Sequence, residues 1–141
     1  MNAAHPMLAP VIALVLWSFV IWTWMYVTRI PAIVRMKMKL DPKAPRGEQM
    51  NQLPATVRWK ADNYNHLMEQ PTLFYAVALA LAVAGDASQI SLGLAWAYVG
   101  LRVVHSLVQV LINIIEVRFA LFFISSLVLL GLAIRAALLI G

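Results

Sequence analysis

No cysteine occurs in the 141 residues, so the chain can form neither a disulfide nor a protein thiolate, and any thiol chemistry has to arrive with a ligand. Charge is nearly as scarce. Only 12% of residues are charged against 62% hydrophobic, and the mean hydropathy of +0.79 lies far above that of soluble domains. Such a chain reads as an integral membrane protein, with no length left for a separate soluble module once its spans are counted, and so as one domain, 1–141. The three histidines, His5, His66 and His105, stand on different segments without ligand spacing such as H-x-x-x-H, and no metal site is expected. No nucleophile has a base beside it. "MNAAHPM" carries no Lys or Arg before the apolar stretch, so that stretch reads as a retained span rather than a cleaved leader.

What is present is a set of long apolar runs separated by one basic loop. Leu8 to Val27 is uncharged and long enough to cross a hydrocarbon core of about 30 Å. Pro31 is expected to stop it, with Trp22, Trp24 and Tyr26 in the interfacial belt. A second helix is expected from Pro54 to about Ala84, a third from Ile90 to Ile115 and a fourth from Phe119 to Gly141, giving an all-α, four-transmembrane-helix bundle. Most of the cations lie between Arg29 and Lys60, flanking the loop "LDPKAPRGEQ", whereas the turn after span two holds only Asp86. That asymmetry places the loop in the cytoplasm and both termini on the opposite side. The net charge of +5 then answers to anionic lipid and topology, and nucleic acid is not an expected partner. Arg135, near the far end of span four, reads as a snorkelling anchor.

Two polar stripes interrupt the apolar helices. Arg58, Asp62, Asn65 or His66, and Glu69 recur at steps of three and four on helix two; Arg102, His105, Gln109, Asn113 and Glu116 do so on helix three. Ionisable groups in hydrocarbon cost several kcal/mol and normally face a partner helix or a wet cavity. Glu69 with Arg102 is an expected pair, and Arg118 adds a cation at the junction with span four. The stripes have two readings: interhelical packing, each hydrogen bond contributing about 1 kcal/mol, or a hydrated, charged pocket at the cytoplasmic boundary. Pro71 is expected to kink span two where its polar face gives way to the apolar run.

With "NHLMEQPTLFY" on helix two and "RVVHSLVQVLINIIEVRF" across helices three and four, the chain resembles the MAPEG superfamily, membrane-associated proteins in eicosanoid and glutathione metabolism. The resemblance implies a homotrimer with glutathione as co-substrate, bound between subunits on the cytosolic side. It assigns Arg118 to the sulfur as the catalytic residue. Glu69, Arg102 and His105 match its helix-two and helix-three site positions, and His66, Asn65 and Gln109 complete the implied binding set. The implied activity is a glutathione-dependent transferase or peroxidase acting on a lipophilic small molecule, an electrophile that enters from the lipid bilayer. Two departures point the other way. Asp62, Asn65 and His66 stand where glutathione-using members commonly carry arginines and an asparagine, and Gln109 stands in place of a common tyrosine. The competing expectation is a non-catalytic lipid-binding or assembly subunit with the same fold.

Overall fold

The computed structural model describes residues 4–141; residues 1–3 of the expected single domain lie outside the described residues. Five helices make four spans: α1 Leu8–Arg35, α2 Ala55–Leu67, α3 Pro71–Val83, α4 Gln89–Leu111 and α5 Ile115–Ile140, with α2 and α3 together crossing once. All four spans are long and apolar enough to cross a bilayer, and the described residues form helices joined by turns and loops, with no strand. Its core runs along the bundle axis through Leu14, Ile21, Leu67, Phe74, Tyr98 and Leu132. Apolar residues such as Val27, Leu73, Val83, Phe119 and Leu138 stay exposed on the outside, the surface that a bilayer covers.

Local backbone chemistry sets the helix ends, and three of them depart from expectation. Pro31 does not stop span one; α1 continues to Arg35. One missing amide near a helix end is tolerated there, and the stop comes where Lys37 takes the left-handed conformation (φ 51). The Lys37 and Met38 amides then bond the Val34 and Ile33 carbonyls, the closure that terminates many helices. Span three ends at Leu111 rather than Ile115, because Asn113 is also left-handed (φ 54), a conformation asparagine tolerates better than most residues. The junction with α5 is therefore Ile112–Ile114 and α5 starts at Ile115 rather than Phe119, so Glu116 falls in its first turn instead of extending the α4 stripe, and Arg118 lies in that turn instead of in the junction.

Pro71 does more than kink span two. It sits at the first position of α3, where its missing amide costs nothing, and Met68–Gln70 form a turn in which the Met68 and Glu69 amides bond the Asn65 and His66 carbonyls three residues back. The break redirects the span. Its first half packs on α1 and α4, its second on α1 and α5.

Arg135, expected as a snorkelling anchor, is bonded to the protein at the α3–α4 end of the bundle. Its Nε donates to Ser91 Oγ at 2.7 Å and its Nη2 to Ser88 Oγ at 3.0 Å, with Asp86 Oδ2 4.0 Å away. Asp86 accepts from the Ser91 hydroxyl and, at 3.0 Å, from the Ser88 amide, and Ser88 Oγ caps α4 by accepting from the Ser91 amide. The α5 guanidinium is drawn inward because the α3–α4 turn presents a carboxylate and two hydroxyls within its reach. The Ser91 hydroxyl first, then Ser88 and Arg135, outweigh burial and hold the Asp86 carboxyl below the usual carboxylate range. A depressed carboxylate contributes stability that is fully present above the usual range and is lost as pH falls through the lowered value. Protection of the amides in the first turn of α4, taken relative to their intrinsic exchange rate at each pH, should therefore fall in acid in the wild type and lose that dependence in Asp86→Asn. An identical acid response in the two would remove Asp86 from the clamp.

Candidate functional site

The polar contacts between span two and α4 form an antiparallel ladder. Asn63 Nδ2 donates to Gln109 Oε1 at 2.9 Å. One turn on, His66 Nδ1 lies 2.6 Å from Arg102 Nη2, which also reaches the His66 carbonyl at 3.5 Å. His66 stacks on His105 with ring centroids 4.9 Å apart. At the next rung the Tyr98 hydroxyl donates to Gln70 Oε1 at 3.1 Å while Gln70 Nε2 donates to Ser126 Oγ of α5 at 2.8 Å. Positions 63, 66 and 70 meet 109, 105, 102 and 98 because steps of three and four keep one face of each helix toward the other.

Arg102 is fully buried, and its partner is His66, not Glu69. The turn at Met68–Gln70 carries Glu69 out to the exposed surface, and the one ion pair among the described residues is Asp86 with Arg135. Asp62 and Asn65 are likewise exposed. The inward face of helix two therefore consists of Asn63, His66 and Gln70; of the expected stripe of Arg58, Asp62, Asn65 or His66, and Glu69, it keeps His66 and turns Asp62, Asn65 and Glu69 outward. A neutral amide or imidazole costs far less to bury than a carboxylate, and that difference in charge is the signal that separates the two faces.

Two cavities open at the loop end of the bundle. One, of about 340 Å³, is lined by His66, His105, Ile115, Arg118, Phe119 and Phe122. Arg118 Nη1 donates to Asn113 Oδ1 at 2.7 Å, so the left-handed turn that ends α4 also fixes the guanidinium of α5. His66 meets the Phe122 ring edge-on at 5.3 Å. The buried Arg118 Nε and His105 Nδ1 have no hydrogen-bond partner. A fixed cation, two imidazoles and two phenyl rings make a wall that takes an anionic atom on one side and an apolar group on the other.

The second cavity, also about 340 Å³, lies between α1, the loop and α2, where Arg29, Arg46 and Arg58 converge with Asn51, Asp62, Tyr64 and Asn65. Arg58 Nε is buried and unpartnered. Three guanidiniums beside one carboxylate and two amides suit a zwitterionic peptide with more than one carboxylate. Sequence reasoning missed Arg29 and Arg46 because they lie off the helix-two stripe, on the end of α1 and in the loop.

The expected site residues thus separate. His66, His105 and Arg118 share one cavity, Asn65 lines the other, Arg102 and Gln109 are enclosed in the ladder, and Glu69 is exposed outside both. No group of three or more His, Asp or Glu side chains among the described residues could hold a metal ion. A model of the MAPEG family matches residues 7–138. No curated protein and no solved structure matches the chain.

Proposed function

We propose, for a chain that belongs to the MAPEG family, that it is a glutathione-dependent transferase or peroxidase acting on lipophilic electrophiles. It is an integral, multi-pass membrane protein of the eicosanoid and glutathione metabolism superfamily. The observation that supports glutathione chemistry is Arg118, held by Asn113 in a cavity walled by His66, His105, Phe119 and Phe122. Glutathione, when bound, supplies the nucleophilic sulfur, and a guanidinium beside a thiol favours its charged form. The phenyl rings, on the bilayer-facing α5, offer an apolar seat for an electrophile arriving from lipid. Arg29, Arg46 and Arg58 would hold the peptide carboxylates and Asp62 its ammonium group, the three arginines each offering the planar fork that carboxylates accept.

The two cavities share no lining residue. We therefore place the site between copies of the chain, the cationic cavity of one subunit facing Arg118 of the next in a homotrimer. The exposed Glu69, at the break in span two, is then available to such an interface. In the same proposal this end of the bundle lies in the cytoplasm and both termini lie across the membrane, a sidedness supported by the positive charge of the loop after α1.

The enclosure of Arg102 and Gln109 in the ladder supports the alternative, a non-catalytic lipid-binding or assembly subunit, since two of the positions matching the family's site serve packing here. Calorimetric titration of the detergent-purified protein with glutathione separates the readings. Saturable heat at millimolar concentration or below, weakened about tenfold in Arg58→Gln by the loss of a charge-assisted contact, is the expected result. An absence of heat across that range would leave the subunit reading.

A further inference from the structure

A third cavity, of about 480 Å³, lies between the last turns of α1 and the first turns of α2 and belongs to neither half of the glutathione site. Val27, Pro31, Ala32, Met36, Pro54 and Val57 make its apolar walls, and its charged lining residues are two cations, Arg35 and Lys60. Lys60 is only 9% exposed. Its Nζ donates to the Thr56 carbonyl at 2.7 Å and lies 5.9 Å from the centre of the Trp24 ring, which leaves two ammonium hydrogens for an acceptor in the cavity. Arg35, the final residue of α1, is exposed and makes no ion pair.

We propose that this groove seats an anionic phospholipid, its phosphate between Arg35 and Lys60 and its upper acyl chains along the apolar wall. Charge complementarity sets the head: two cations and no acid line the groove. The apolar wall sets the rest, because a free phosphate gains nothing from Val27, Pro31 and Val57, whereas acyl chains continue from the groove onto the exposed Val27, Ile30 and Val34 of α1. The position fits. Arg35 ends an apolar helix that spans the bilayer, at the level where headgroups begin and where a basic side chain near the surface favours anionic lipid. Burying most of Lys60 without a carboxylate partner is costly, and a bound phosphate offsets that cost. The proposal is independent of glutathione binding.

The test is native mass spectrometry of the full chain in mild detergent with added phosphatidylglycerol or phosphatidylcholine of the same acyl composition. The wild type should retain one phosphatidylglycerol per subunit in preference to phosphatidylcholine. Arg35→Gln and Lys60→Met should each weaken retention about fivefold, while Lys39→Gln and Lys43→Gln, cations of the neighbouring loop outside the groove, should not. Inorganic phosphate at millimolar concentration should leave the lipid in place. Equal retention of the two lipids, undiminished retention in the groove variants, equal loss in the loop variants, or displacement by phosphate alone would each overturn the assignment. Should Lys60→Met fail to fold, Arg35→Gln on the exposed last turn of α1 decides the matter alone.

Discussion

Alanine at position 118 should reduce the proposed conjugation of glutathione to an aryl halide by about a hundredfold or more, the loss associated with removing one fixed donor from a developing charge, and should leave the proposed oligomer assembled. Arg118 is partly exposed in the first turn of α5 and is tied only to Asn113, so its removal opens no core cavity and breaks one hydrogen bond. The loss should be steepest near neutral pH. A free thiol ionises at about pH 8.5, so activity in the variant should recover partially as the solution is made alkaline and the sulfur ionises without help. Arg118→Lys keeps the charge but not the planar fork that meets Asn113, and falls between the two. Conjugation that survives Arg118→Ala with an unchanged pH profile would remove Arg118 from the mechanism.

His66→Ala has the largest expected effect on stability, about 2–3 kcal/mol, because it removes the side chain that accepts from a fully buried guanidinium. Arg102 already has Nε and Nη1 without partners; without His66 it keeps only the long contact to the position-66 carbonyl. Arg102→Met costs less than His66→Ala, since it removes a buried charge instead of orphaning one. In a double-mutant cycle followed by unfolding in detergent, the two changes are coupled by about 1 kcal/mol or more. Additive effects would mean that the contact does not hold the helices together. Glu69→Ala, on the exposed turn, changes the stability of the single chain little.

Spans one, three and four were legible because predominantly apolar runs of about 20 residues have few other fates, and span two because the apolar Pro71–Val83 continues a helical stretch. Their ends were not. Lys37 and Asn113 close their helices through left-handed turns, and neither is a glycine, the residue whose presence would have marked those turns in the sequence. Pro31 looked like a stop, yet it lies one turn from a helix end where a missing amide is tolerated. On α4 the polar face was read correctly at Arg102, His105 and Gln109, because every other side of that stretch is apolar. Helix two is polar on several sides, so steps of three and four left Asn65 and His66 interchangeable and did not separate Asp62 and Glu69 from Asn63 and Gln70. The cost of burying acids decides in favour of Asn63 and Gln70. The cationic cavity was out of reach for a different reason: Arg29, Arg46 and Arg58 are brought together by the loop after α1, and nothing in their spacing announces it.

The central claim is that Arg118 holds a glutathione sulfur in its ionised form, and the ultraviolet thiolate band tests it most directly. Purified wild-type protein titrated with glutathione at neutral pH should develop the band in saturable proportion to occupied sites, and Arg118→Ala should develop none at the same occupancy. A wild type that binds glutathione without any thiolate band, or a band that persists unchanged in Arg118→Ala, would contradict the account.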